Sequence, residues 1–198
     1  MLKVEQLACR RGARLIFRDI GFALAAGGLL RVTGANGSGK SSLLRVLAGL
    51  LPAAEGTLTW HGEPISTDPD AHRERLHYIG HLDAVKPELT GRETLDYWQA
   101  LHGLSGMHDP FGLGNLLDKP ARILSAGQRR RLALTRLTMG DAPLWLLDEP
   151  SASLDAAGMK TLTDMIAMHR AKGGMVIAAM HDALDALDAQ TLQMPERA

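Results

Sequence analysis

An α/β fold organised around a parallel sheet is what this sequence predicts, on three observations. Residues 29–33, 143–148 and 175–180 are short apolar runs bounded by turn residues or acids, the texture of strands buried on both faces. Helical spacing of apolar residues lies between them, over residues 42–48 and about 156–171. Between the first strand and its helix, Gly34-Ala35-Asn36-Gly37-Ser38-Gly39-Lys40-Ser41-Ser42 fits G-x-x-x-x-G-K-[ST], a phosphate-binding P-loop.

The totals bound the rest. A chain of 198 residues can bury a core as one α/β domain. Its 45% hydrophobic and 22% charged content excludes a disordered chain. A formal net charge of zero gives no overall field for nucleic acid or an acidic membrane. Cys9 is the single cysteine, which excludes a disulfide framework and a thiolate metal cluster, and it reads as a small buried hydrophobe in a reducing compartment. No apolar run approaches the roughly 18–20 residues of a membrane span, and residues 1–7 lack a signal-peptide core. Work at a membrane is therefore expected to go through a partner.

Taken in order, residues 2–7 and 21–24 read as short strands joined through an arginine-rich turn carrying Arg10, Arg11, Arg14 and Arg18. The P-loop helix is expected to close at Pro52. Residues 56–60 are strand-like, and His61-Gly62 makes a turn, so an antiparallel β subdomain precedes the α/β core. Residues 76–80 form another strand. From about 88 to 122 helical spacing (Leu89, Leu95, Trp98, Leu101) is broken by Gly103, Gly106, Pro110, Gly112 and Gly114, which predicts a helical lobe beside the sheet. Leu124-Ser125-Ala126-Gly127-Gln128 opens a helix, Asp148-Glu149 ends a strand, and Gly173-Gly174 separates the last helix from the last core strand, which ends at His181. With no repeats or low-complexity linker, one domain is expected over 1–198, with a lobe at about 88–140 inserted in it.

The P-loop residues carry a definite chemistry. Glycines let the backbone turn its N–H groups inward, and the helix start adds to that positive nest. Gly34, Asn36, Gly37, Ser38, Gly39, Lys40, Ser41 and Ser42 are the expected nucleotide-binding set, with the Lys40 charge on the β- and γ-phosphates and Ser41 on Mg²⁺. A buried parallel strand delivers its C-terminal residues to the same crevice. Asp148 is thus expected to hold Mg²⁺ directly or through water, and Glu149 to polarise an attacking water.

Four motifs in order then identify the chain as similar to ATP-binding cassette (ABC) ATPases: the P-loop, the signature-like residues 124–128, the acidic strand end with a D-loop-like Ser151-Ala152-Ser153-Leu154-Asp155, and His181 at the switch position. The resemblance covers nearly the whole chain. It implies an α/β P-loop NTPase (ABC ATPase) core with an N-terminal antiparallel β subdomain and an inserted α-helical signature subdomain. Within that family the chain most resembles the CcmA group, ATPase subunits of cytochrome c maturation (heme exporter) systems. The residues that carry this are Leu7-Ala8-Cys9-Arg10, Tyr78-Ile79-Gly80-His81 followed by residues 86–90, residues 142–149 and residues 173–177, together with the short length and the lack of a C-terminal regulatory extension.

The resemblance implies transport-coupled ATP hydrolysis with Mg²⁺, with Glu149 as general base and His181 on the γ-phosphate. It implies that Ser125, Gly127 and Gln128 bind nucleotide held by a second copy, that Ser153 and Asp155 belong to the D-loop, and that the closed ATP state is a head-to-tail homodimer. It also implies a peripheral place on the cytoplasmic face of the inner membrane, with membrane partners CcmB, CcmC and CcmD, an indirect link to the heme chaperone CcmE, and no nucleic-acid partner. Two positions depart from the ABC pattern. His81 stands where a glutamine usually contacts metal and water, and imidazole can still bind either. Arg11 stands where an aromatic usually packs on adenine, and a guanidinium stacks on a base or stays solvated.

Other features are weighed as ordinary structure. His61, His72, His77 and His81 read as surface and loop histidines, Arg129-Arg130-Arg131 as facing water and nucleotide, and Met165, Met168, Met175 and Met180 as core filler. The alternatives are another ABC transporter, a soluble ABC ATPase acting on ribosomes or DNA, and a nucleotide-gated clamp. Soluble ABC ATPases usually carry two cassettes or a coiled-coil insertion, and Glu149 with His181 argues against a clamp without turnover.

Overall fold

The computed structural model describes residues 1–104, 109–180 and 187–195. Strand β1 (Leu2–Arg11) and strand β2 (Arg14–Leu24) form a long hairpin with Leu2 opposite Leu24 and Arg11 opposite Arg14. The expected arginine-rich turn is therefore strand, and only Gly12-Ala13 turns. The cause is the buried pair Cys9 and Phe17, which lie opposite each other and carry the apolar face on past the arginines. Strand β3 (Leu29–Thr33) leads through the P-loop into helix α1 (Lys40–Leu47). That helix ends at Ala48, before Pro52: the amides of Leu50 and Leu51 turn back onto the Arg45 carbonyl at 2.8 and 3.2 Å. Strand β4 (Glu55–Trp60) pairs with β1, and the His61-Gly62 turn (φ 53° and 91°) connects it to strand β5 (Glu63–Pro64). Positive φ at both central residues is the geometry that suits a two-residue hairpin. The four strands make one antiparallel sheet, β2-β1-β4-β5.

The second sheet is parallel. It adds strands β6 (Leu76–Ile79), β7 (Leu144–Asp148), β8 (Met175–Ala179) and β9 (Gln190–Gln193) to β3, in the order β6-β7-β8-β3-β9. Period-two alternation assigns its faces. Leu144, Leu146 and Ile177 pack with α1 and the antiparallel sheet, whereas Trp145, Leu147, Val176 and Ala178 pack under helix α5 (Ala156–Ala171) through Leu162 and Ile166. Strand β9 had no signal in the sequence. It is a polar edge strand, and an edge needs no continuous apolar run.

Helix α2 (Pro69–Glu74) is N-capped by Asp68. Helix α3 (Gly91–Leu101) starts in a capping box of Thr90 and Glu93, helix α4 (Ala126–Thr135) in one of Ser125 and Gln128, and each box is worth about 1 kcal/mol. Leu95, Trp98, Leu113, Leu117, Leu124, Leu132 and Met139 pack as a separate cluster, the core of the helical lobe.

Two histidines expected at the surface are buried instead. His72 places Nε2 2.8 Å from the Leu47 carbonyl oxygen, and His77 places Nε2 2.6 Å from that of Met139. A neutral imidazole N–H donating to a carbonyl makes such burial tolerable. His169 stacks flat on Trp145 with centroids 3.9 Å apart. Met175 and Met180 fill the core as expected, while Met168 is 62% exposed and fills nothing.

Burial holds the pKa values of His72, His77 and His169 below the ordinary value, that of His77 at about 4. The unfolded chain takes up these protons near pH 6.5 and the folded chain only below that. The unfolded state then binds more protons in between, so stability is complete above about pH 6.5 and falls as pH drops toward 4. The His77 shift corresponds to roughly 3 kcal/mol. Thermal melts of the wild type should fall steeply between pH 7 and 4.5, and those of His77→Gln less steeply; parallel curves would remove His77 as the cause.

Candidate functional site

The sheet order brings the ends of β3 and β7 to one edge, and there the P-loop meets the two acids. Gly39 is the N-cap of α1 at φ 106°, where a Cβ would lie 2.9 Å from Ile16 Cγ2. Only glycine fits there, and Gly39 brings no side-chain cap to the helix start, an arrangement that suits an anion. Lys40 is buried, and its Nζ donates to the carbonyls of Gly34 at 2.8 Å and Ala35 at 3.2 Å, so its ammonium is held over the loop. Ser38 is buried, and its Oγ has no hydrogen-bond partner among the described residues. Asn36 and Gly37 lie at the exposed crest, and Ser42 faces inward from the first turn.

Ser41 Oγ donates to Asp148 Oδ1 at 3.0 Å across 107 positions of sequence. Asp148 is 1% exposed, and its Oδ2 is buried with no hydrogen-bond partner among the described residues. Burial raises its pKa, the Ser41 bond works against that, and the neighbouring Glu149 charge raises it further. A carboxylate so placed, beside a serine hydroxyl, fits a hard divalent cation, whose charge would reverse the burial effect.

Glu149 follows at φ 49°, an uncommon conformation for a residue with a side chain, and its amide donates to the Ala179 carbonyl at 2.8 Å. Its carboxylate is partly exposed, with Oε2 3.5 Å from His81 Nδ1. The sequence-predicted residues Ser41, Asp148, Glu149 and His81 are thus neighbours. Arg11 is exposed at the end of β1 opposite Arg14. His181 lies outside the described residues.

A second group gathers at α4. The Ser125 amide donates to Gln128 Oε1 at 2.9 Å, and the Gln128 amide donates back to Ser125 Oγ at 3.2 Å. A Cβ on Gly127 would stand 2.5 Å from the Ser153 carbonyl oxygen, so the helix and the 151–155 loop touch by backbone. Asp155 caps α5 by accepting from the Gly158 amide at 2.8 Å, and it also accepts from Arg131. Both bonds lower its pKa, the cap first.

Arg130 is the residue that reading the sequence missed. Expected to face water with its neighbours, it is 2% exposed. The signal was present: Arg130, Leu134 and Leu137 are spaced i, i+4, i+7, and both leucines are buried, so the arginine shares the inner stripe.

Residues 17–152 match the ABC transporter family profile. The chain is 49% identical over 201 residues to the cytochrome c biogenesis ATP-binding export protein CcmA of Paramagnetospirillum magneticum, covering 97% of this chain and 93% of that protein. It is 52% identical over 182 residues to the protein of the same description from Rhodospirillum rubrum, covering 89% and 78%. A putative ABC transporter ATP-binding protein from Pyrococcus furiosus superposes with a TM-score of 0.82 at 19% identity, covering 98% of this chain and 96% of that one, a likeness of fold.

Gly127→Ala should lower the thermal midpoint, since the added methyl meets the Ser153 carbonyl; overpacking of this kind costs about 1–3 kcal/mol. A differential scanning calorimetry trace that overlays the wild type would show the loop yielding freely.

Proposed function

The chain belongs to the ABC transporter family, among the cytochrome c biogenesis ATP-binding export proteins, and is an ATP-hydrolysing cassette; from that premise we propose that it is the engine of a membrane complex for cytochrome c biogenesis, driving heme export or the release of a heme-loaded chaperone. The observation that carries the hydrolase chemistry is the 3.0 Å Ser41–Asp148 bond, with the buried Asp148 Oδ2, unpartnered among the described residues, beside it and Glu149 next in sequence. The relatives' descriptions support the cytochrome c assignment.

Phosphoryl transfer to water is chiefly a matter of positioning and charge. Gly34, Asn36, Gly37, Ser38, Gly39 and Ser42 shape the cradle, and Lys40 shifts its Nζ from the loop carbonyls to the phosphate oxygens. Ser41 and Asp148 would hold Mg²⁺, which would supply positive charge against the β- and γ-phosphates. Glu149 accepts the proton of the attacking water, with His81 beside its carboxylate, and the family resemblance gives His181 a role at the γ-phosphate. Arg11 lies toward the base.

Ser125, Gly127 and Gln128 complete the site of a second copy, with Ser153 and Asp155 alongside, so the working unit is a head-to-tail homodimer closed by two ATP molecules. Only a ligand with different affinities for two states shifts them, and ATP bridging two chains is such a ligand. Residues 1–198 act as one unit, with about 88–140 as its helical lobe. No helix among the described residues is long and apolar enough to cross a membrane, so attachment is through partners: CcmB, CcmC and CcmD at the cytoplasmic face of the inner membrane, and through them CcmE.

Two outcomes are expected. Lys40→Ala should lose tight ATP binding in equilibrium titration, because charge-assisted bonds to the phosphates go with the ammonium; unchanged affinity would reject the cradle. Glu149→Gln should bind ATP, turn over at least about 100-fold more slowly, and retain integral membrane subunits and a heme-bearing chaperone in a detergent pull-down with ATP and Mg²⁺. Recovery of an unrelated permease would keep the engine and discard the cytochrome c assignment.

A further inference from the structure

Arg130 places one guanidinium among five acceptors drawn from two loops. Nη2 donates to the carbonyl oxygens of Asp148 at 2.7 Å and Glu149 at 2.8 Å, and Nε donates to that of Pro150 at 3.3 Å. Nη1 donates to the carbonyl of Gly80 at 2.9 Å and to Asp83 Oδ1 at 3.1 Å. Gly80 immediately precedes His81, and Asp83 lies two residues beyond it. The same side chain therefore grips the main chain on both sides of the 3.5 Å gap between His81 Nδ1 and Glu149 Oε2.

We infer that Arg130 is a positioning residue for hydrolysis, which sets the His81–Glu149 pair by holding the carbonyls of Gly80 and of residues 148–150. The inference deepens the proposed ATPase reading and rests on Glu149 being the base.

Three features of the molecule support this role. First, Glu149 sits at φ 49°, and a side-chain-bearing residue holds such a conformation only where its surroundings over-determine it. Bonds to the carbonyl of Glu149 and to those on either side, together with the Glu149 amide on Ala179, supply that determination. Second, the fork is planar and rigid, so the separation between Gly80 and Glu149 is fixed by guanidinium geometry. A lysine has three donors on one atom and cannot span both loops. Third, Arg130 lies on α4, two residues past Gln128, and the same helix touches Ser153 through Gly127 and Asp155 through Arg131. A displacement of α4 is thereby passed to the carboxylate of Glu149 through bonds of fixed length.

The test uses the full chain with its membrane subunits and compares Arg130→Lys, Arg130→Gln and Asp83→Asn with the wild type and Glu149→Gln. The readouts are kcat, KM for ATP, nucleotide affinity and the thermal midpoint. Expected is a fall in kcat of about 10- to 100-fold for both Arg130 variants, with KM and ATP affinity within about 3-fold of wild type, as for removal of an interaction made in the transition state. Asp83→Asn, which keeps all four carbonyl bonds, should lose about 3-fold in kcat. Added to Glu149→Gln, Arg130→Lys should lower the residual rate by less than 2-fold, because residues acting as one unit are not additive.

Should an Arg130 variant fail to fold, Asp83→Asn and its double variant with Glu149→Gln carry the same comparison. Wild-type kcat in Arg130→Lys, or full additivity in the double variants, overturns the positioning role and leaves the ATPase intact. A wild-type chain that binds ATP without hydrolysing it overturns the ATPase reading itself.

Discussion

The hydrogen bond from Ser41 to Asp148 is the contact on which the rest of the arrangement depends. It joins the first turn of α1 to the last residue of β7, two positions that the chain reaches 107 residues apart. Keeping them adjacent requires β3 and β7 to lie in one parallel sheet with β8 between them, so both strands deliver their C-terminal ends to one edge. The alternating faces of β7 and β8, with Leu144, Leu146 and Ile177 toward α1 and Trp145, Leu147 and Val176 toward α5, hold that sheet in place from both sides. The cost is a buried carboxylate whose second oxygen has no partner among the described residues, a polar debt that a bound cation would discharge.

Much of this was legible in the residues, and the reasons differ by element. The P-loop reads clearly because its glycines, lysine and serine are each demanded by one geometry. Strands β3, β7 and β8 read clearly because strands covered on both faces are continuous apolar runs. Elements that draw on remote partners did not read. Strand β9 is defined by its pairing with β3 and carries only Leu192 as a partly buried apolar residue. The β1–β2 hairpin hides its length behind arginines because the residues flanking its turn, from Arg10 to Leu15, are exposed.

At the site the same division holds. Ser41, Asp148 and Glu149 followed from motif logic, whereas Arg130 was submerged in a triple arginine whose members have three different fates. Arg129 bonds the Leu124 carbonyl, Arg130 is sealed inside, and Arg131 pairs with Asp155. Charge counting cannot separate these, while helical phase can. His72 and His77 teach the converse lesson: a carbonyl acceptor in reach makes a titratable ring an acceptable core residue.

Strand order also sets a timetable for the nascent chain. The strand that leads into the phosphate loop, residues 29–33, is flanked in the finished sheet by residues 175–179 and 190–193 and by no strand translated earlier. During synthesis the N-terminal hairpin and its partner β4 close among residues already made, while β3 waits for partners some 150 residues downstream, a loop-closure problem of high contact order. In order of synthesis the phosphate loop precedes both strands that flank β3, residues 175–179 and 190–193.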